Sequence, residues 1–413
     1  MDQTEALIIE TIDRHREEIL EFARDIYSHA ELGYKEFQTS GKFVKKMEQL
    51  GLRTEKGFAI TGVKAYLNED KKENASLALL GELDALRIPE HAFANPETNA
   101  AHCCGHHAQM AGVFGAALAL TVPEIAEKLD GQVVFFATPA EEYGEIEFKN
   151  QLREQGKIRY GGGKCELLRI GAFDDIDLCL THHIRPGNEI LVGSGTGNGF
   201  VSKVIRVLGK ASHAAGAPEK GVNALSAASL GLQALGLNRE TFRDEDCVRV
   251  HPIITKGGNL VNVIPDEVVV ETLVRGKTIE AFTDAAKKTD RSFKAGAIAM
   301  GAKVEISTLP GYLPTLAEEA LPELKHAAEI SASGIPVIEA SGHAGGSTDV
   351  GDVQHLMPVY TFNTGGVKGG LHQIDFEVTD EEEAYIVTAK MFALAAYGLL
   401  KEKAQRSREL VDQ

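Results

Sequence analysis

The chain has 413 residues, 43% hydrophobic and 25% charged, the balance of a folded protein with room for two domains and not of a disordered or fibrous one. Its formal net charge is −17 and no long basic run occurs. That excludes the clustered cations on which nucleic-acid and anionic-membrane partners depend.

Residues 5–50 place apolar side chains at helical spacing and stop at Gly51, a natural helix end. Short apolar runs at 77–80, 133–137 and 176–180, each bounded by turn residues, predict strands, and residues 105–120 between the first two predict a helix. The apolar stretch Ala111–Val122 ends against Pro123 and is too short to cross a bilayer. Alternating strands and helices indicate an α/β domain with a largely parallel central sheet, whose chemistry gathers beyond the carboxyl ends of its strands. Gly187–Gly199 is dominated by Gly, Ser, Thr and Asn and marks a change of character. After it come a strand at 201–208, a helix at 221–237, strands at 248–255 and 267–274, a helix at 278–300 and a strand at 303–307. This is the order of a ferredoxin-like split βαβ unit. We therefore expect an inserted domain at 190–308, with 1–189 and 309–413 forming one discontinuous larger domain. The five cysteines are an odd count, two of them adjacent, and the acidic N-terminus has no basic n-region or apolar core; a cytoplasmic location is expected.

Four polar clusters follow the predicted strands or stand in loops. His102-Cys103-Cys104-Gly105-His106-His107 packs a thiolate and several imidazoles into six residues, a donor set suited to zinc or a similar divalent ion. Pro139-Ala140-Glu141-Glu142 offers two carboxylates that can divide metal binding from general-base work, although a Glu-Glu pair alone is common on surfaces. Only one of His182 and His183 can face a site, because neighbours on a strand point to opposite faces. His372 follows two glycines and by itself reads as structural. There is no His-Glu-x-x-His motif. Gly161-Gly162-Gly163-Lys164 lacks the leading Gly and following Ser or Thr of a phosphate loop, and Gly193-Ser194-Gly195 lacks a nucleophile-elbow context.

Taken in order, Gly81-Glu82-Leu83-Asp84-Ala85-Leu86, Cys104-Gly105-His106, Pro139-Ala140-Glu141-Glu142, His183 and His372 resemble the motif series of aminoacylase-like dinuclear metallopeptidases. The likeness is closest to the amidohydrolase branch of hippurate, indole-acetyl-amino-acid and aminobenzoyl-glutamate hydrolases. Gly346-Ser347-Thr348-Asp349 and Gly171-Ala172-Phe173-Asp174 are particularly similar to the B-type aminobenzoyl-glutamate utilisation protein. The resemblance implies a zinc-exopeptidase-like α/β catalytic domain with a mixed central sheet, plus an inserted α+β ferredoxin-like domain acting as lid and dimerisation surface. It implies two divalent ions, zinc or manganese, held by Cys104 as bridge with His106, Glu142, His183 and His372. Glu141 would be the general base and Asp84 the acid that orients a ligand imidazole. His213 would stabilise the oxyanion across a homodimer, and Asn262 and Arg275 would orient substrate. His107 stands where many relatives carry Asp or Asn, Gln109 where better-known members carry His, and Arg87 where Pro is usual, so we expect His107 to contact substrate.

The function expected is hydrolysis of the amide bond of a small N-acyl or aminoaryl amino acid or a dipeptide-like compound. The alternatives are a metal-dependent deaminase or iminohydrolase of a small ring compound, and a catalytically silent metal-binding homologue.

Overall fold

The computed structural model describes residues 1–413. The chain divides into two compact units, Met1–Gly195 with Leu316–Gly342 and Asp352–Gln413, and Thr196–Thr315 with His343–Gly351. These limits differ from 190–308 for a physical reason. The strand Ile190–Val192 is hydrogen-bonded between Val337–Glu339 and Val359–Thr364 in the large sheet, so the first unit keeps it. At the other end, Lys303–Pro310 pairs along its whole length with Gly199–Leu208, so the second unit extends past 308.

The N-terminal periodicity resolves into three helices, Gln3–Arg14, Arg16–Ser28 and Phe37–Gln49. Asp2 and Glu5 start the first one reciprocally, each side chain accepting from the other's backbone N–H, which satisfies two otherwise orphaned donors. The helix His106–Leu120 is buried on every face, as expected of a segment that is apolar all round. It packs between the sheet, the helix Arg16–Ser28 and the C-terminal helix Thr388–Val411. The run Glu382–Val411 is long and apolar enough to cross a bilayer, but 89% of its apolar window is buried inside the protein.

The large sheet has eight strands in the order Arg53–Phe58, Gly62–Leu67, Gln132–Thr138, Ser76–Glu82, Leu178–Ile184, Val359–Thr364, Ile190–Val192, Val337–Glu339. Its four inner strands, Gln132–Thr138 through Val359–Thr364, run parallel, and antiparallel pairs at either side make it mixed. The inner strands Ser76–Glu82 and Gln132–Thr138 are buried at every position and read as continuous apolar runs, the signature of a sheet covered on both faces. Each fully buried Leu, Val or Phe there contributes about 1.5–3 kcal/mol relative to exposure.

The second unit is an antiparallel sheet in which Glu267–Gly276 and Gly199–Leu208 are central, Lys303–Pro310 lies on one edge, and Arg249–Val250 and Ile253–Lys256 lie on the other. Helices Ala224–Asn238 and Ile279–Ala299 pack on each other and on this sheet. Its core is Ile205, Val207, Val268, Val270, Val274, Ala285 and Phe293, all buried.

Candidate metal centre

Three neighbouring parallel strands of the large sheet deliver polar residues at their carboxyl ends. Ser76–Glu82 leads into Asp84, Gln132–Thr138 into Pro139-Ala140-Glu141-Glu142, and Leu178–Ile184 carries His183 in its last turns of pleat. The strand pairing therefore assembles residues about a hundred positions apart. Two loops complete the set, Cys104-Gly105 before the helix His106–Leu120 and the turn at His372.

The donor atoms converge on Cys104. Its Sγ lies 3.3 Å from His183 Nε2 and 3.3 Å from His372 Nε2. His372 Nε2 is also 3.2 Å from Glu142 Oε1. Two trios able to hold a metal ion result, Cys104–His106–His183 and Cys104–Glu142–His372, and they share the thiol. A shared thiolate is what a bridged pair of ions requires. The donors suit such ions, since the set joins one soft sulfur to imidazoles and a carboxylate. His106 Nε2 and Glu142 Oε1 are buried without a well-formed hydrogen bond, although Glu82 Oε2 lies 3.1 Å from the first and His372 Nε2 3.2 Å from the second, and a bound cation would satisfy both atoms.

The imidazoles are set by their other nitrogens. His183 Nδ1 lies 2.8 Å from the Ile184 carbonyl, and His106 Nδ1 lies 2.8 Å from the Asp84 carbonyl and 3.2 Å from its Oδ1. A carbonyl only accepts, so both Nδ1 atoms carry the proton and both Nε2 lone pairs face the cluster. Asp84 Oδ2 accepts from the Glu142 backbone N–H at 2.9 Å, tying two of the strand-end loops together.

Glu141 is buried at 7% exposure and its Oε2 lies 3.9 Å from His106 Nε2. It belongs to neither of the two trios that contain Cys104. Ala140 before it adopts φ 50°, and its N–H donates at 2.8 Å to the buried carboxyl of Glu36. Burial, then the nearby Asp84 charge, pushes Glu36 up to about 7. His372 likewise sits at φ 62°, its N–H bonded to the Cys103 carbonyl at 2.9 Å. Left-handed non-glycine residues of this kind are held by their surroundings at functional sites.

The rival assignments separate cleanly. His182 turns into the core, where Nε2 meets Thr364 Oγ1 at 2.8 Å and the ring packs on Phe362 and Phe392. Cys103 is fully buried and belongs to no donor trio. The expectation that His107 contacts substrate is corrected. One residue along a helix turns a side chain by about 100°. His107 consequently points away from the cluster, its Nε2 3.2 Å from Tyr385 Oη and its ring against Tyr27 and His102. It has no exposed surface, and burial, then the neighbouring His106, lowers it to about 3.

His213, Asn262 and Arg275 lie in the second unit. His213 is exposed, and its Nδ1 accepts from the N–H groups of Ala215 at 3.2 Å and Gly216 at 2.9 Å, which leaves the proton on Nε2. The Asn262 carbonyl accepts from Ala214 N–H at 3.0 Å, so His213 and Asn262 stand on paired loops. Arg275 lies on the central strand, its guanidinium 5.8 Å from the Phe200 ring centre. His343, another residue of this unit, bonds Thr196 Oγ1 and Asn198 Oδ1.

Three residues that motif reading passed over border the cluster. Glu82 places Oε2 3.1 Å from His106 Nε2, and Glu82, His106 and Glu141 form a third group of clustered donors. Gln109 and Lys164 hold Glu82. Glu82 carried a signal, since it ends the strand that leads into Asp84. So did Gln109, one helical turn from His106. Lys164 carried none.

The model of peptidase family M20/M25/M40 matches residues 78–397. Among characterised proteins, mouse Xaa-Arg dipeptidase is 27% identical over 408 residues, 96% of this chain and 85% of that protein. N-acetyl-L-cysteine deacetylase of Bacillus subtilis is 24% identical over 403 residues, 95% of this chain and 90% of that protein. Indole-3-acetyl-aspartic acid hydrolase of Enterobacter agglomerans is 24% identical over 377 residues, 76% of this chain and 81% of that protein. Of solved structures, the Bacillus subtilis YXEP protein, described as a dinuclear metal binding peptidase, superposes with a TM-score of 0.65 at 24% identity, covering 94% of this chain and 99% of that one. The aminobenzoyl-glutamate utilization protein from Klebsiella pneumoniae superposes at 0.67 with 20% identity, covering 95% and 98%. The chain belongs to peptidase family M20/M25/M40.

Proposed function

We propose that this protein hydrolyses the amide bond of a small N-acyl or aminoaryl amino acid or a dipeptide, with Glu141 as general base beside a two-ion centre held by Cys104, His106, Glu142, His183 and His372. One observation carries the reading: two donor trios share Cys104, and a buried carboxylate outside both stands 3.9 Å from a ligand imidazole. A purely structural metal site needs ligands but no such base. The named activities of the relatives, a dipeptidase, a deacetylase and an indole-3-acetyl-aspartic acid hydrolase, are all amide cleavages and support this bond over an exocyclic amine.

When bound, the two ions supply Lewis acidity to the scissile carbonyl and to the attacking water. The Glu141 carboxylate takes the proton from that water at its Oε2 side and returns it to the leaving amine nitrogen. Asp84 holds the His106 tautomer, and the bond from Glu142 N–H to Asp84 keeps Glu142 in register with it. Across the proposed homodimer, His213 is proposed as donor to the developing oxyanion through Nε2–H, the tautomer that its backbone contacts support. Asn262 and Arg275 are proposed to anchor the substrate carboxylate, a guanidinium being suited to that group.

Zinc or manganese is the proposed ion pair, on the mixed sulfur, nitrogen and oxygen donor set. A homodimer through the second unit is proposed because its edge strand Ile253–Lys256 is exposed throughout and Leu260 and Val261 are bare nearby in sequence. A cytoplasmic location is carried forward on the cysteine usage.

The test is amine release from N-acyl amino acids, aminobenzoyl-glutamate and dipeptides, with Glu141→Gln as blank. We expect at least one class to turn over, and the variant to lose about 10²–10⁴-fold in kcat with its metal content unchanged. Ammonia as the sole product, or undiminished turnover by the variant, overturns the reading.

A further inference from the structure

Carboxylates stand at both edges of the His106 imidazole. Asp84 meets Nδ1, and Glu82 Oε2 stands 3.1 Å from Nε2, the atom that faces the other donors. Glu82 cannot swing away from that position. Its Oε2 accepts from Gln109 Nε2 at 2.8 Å, its own N–H donates to Gln109 Oε1 at 2.9 Å, and its Oε1 accepts directly from Lys164 Nζ. The Lys164 side chain has no exposed surface, so a whole unit of charge has been taken out of water where it meets Glu82. Removing one partner of such a pair leaves an uncompensated buried charge, whereas a neutral pair of similar shape is tolerated.

The local sequence explains how the lysine reaches this depth. A Cβ at Gly163 would fall 1.6 Å from the Pro139 carbonyl oxygen, so only glycine lets the helix Gly163–Arg169 start against the Pro139–Glu142 loop. Gly163 N–H donates to the Ala140 carbonyl at 3.0 Å, which fixes the start of the helix beneath the cluster. The Gly-Gly-Gly-Lys run thus delivers a cation to a buried carboxylate, as a phosphate loop would deliver one to a phosphate.

We propose that Lys164 is a positioning residue: it fixes the Glu82 carboxylate beside the His106 Nε2 lone pair, so that this oxygen and the imidazole face the shared donor cluster together. The inference rests on the reading of His106 as a metal ligand. It predicts that the buried charge pair and the metal environment can be separated by substitution. Lys164→Met leaves Glu82 without its cation and lowers the melting temperature. The double variant Lys164→Met with Glu82→Gln restores a neutral, similarly shaped pair and recovers that temperature, but not the metal site.

The experiment compares cobalt(II)-loaded wild type, the double variant and Gln109→Met by visible absorption and by calorimetric titration with cobalt. Gln109→Met keeps the ion pair, releases Glu82 Oε2, and decides the question if the double variant does not fold. We expect an altered ligand-field spectrum in both, with cobalt binding weakened by about 10–100-fold in the double variant. Wild-type spectra and affinities in the folded variants would mean that the pair is structural only, and the proposal fails. Failure of the wild type itself to bind cobalt overturns the ligand reading beneath it, a result distinct from the first.

Discussion

Gly105 and Ile184 meet so closely that a Cβ on Gly105 would lie 2.0 Å from Ile184 Cγ2. Ile184 ends the strand that carries His183, and Gly105 separates Cys104 from His106, so this one contact registers three donors. Gly105 also has φ 89°, which costs an L-residue about 1–2 kcal/mol, and overpacking adds about 1–3 kcal/mol. Gly105→Ala should lose about 3 kcal/mol in denaturant unfolding, with metal content falling in parallel.

Cys104 belongs to both donor trios, while His183 and His372 each belong to one. Elemental analysis should therefore find wild type with two ions, His183→Ala and His372→Ala with about one, and Cys104→Ala with less than either. Equal losses from all three variants would contradict a shared thiolate.

Metal removal should destabilise the first unit, because ligands that bind only the folded state stabilise it by about 4 kcal/mol when free ligand is a thousandfold above Kd. EDTA should lower the melting temperature, and excess zinc or manganese should restore it. An unchanged melting curve on complete stripping would argue against a centre built from four separate chain segments.

Glu318 provides a pH test away from the metal centre. Burial raises its carboxyl from the usual 4.5 to about 8, only partly offset by the hydrogen bond from Gln354 Nε2 at 2.7 Å. The folded state thus holds this proton more tightly than the unfolded chain. Its contribution is fully present below about 4.5 and is lost as pH rises through about 8. Glu318→Gln should match wild type near pH 4.5 and become progressively more stable than it up to about pH 8, read as melting temperature against pH.

What could be read from the sequence was whatever lies along one strand or one turn. The strands ending at Glu82, Thr138 and Ile184 announce themselves as apolar runs; Asp84 and Glu141-Glu142 follow the first two, and His183 lies at the end of the third. His183 was separable from His182 only by a parity that sequence cannot orient; pairing of His182 with Phe362 across the sheet decides it. His107 misled because a substitution beside a ligand looks like a substrate contact, whereas helical rotation sends it into the core. Lys164 was invisible, since its partner Glu82 is 82 positions away and the two meet only through the closeness of Gly163 to Pro139.

The centre is lopsided in its access to water. His106 and Glu141 are buried, but the His372 side chain keeps 51% of its surface on a turn of irregular backbone. Local opening of such a turn costs far less than opening of the sheet. Two ions held as proposed would therefore differ in lability: a brief chelator pulse should strip an ion held by Glu142 and His372 in a fast phase, while one held by His106 and His183 would leave on the timescale of strand separation.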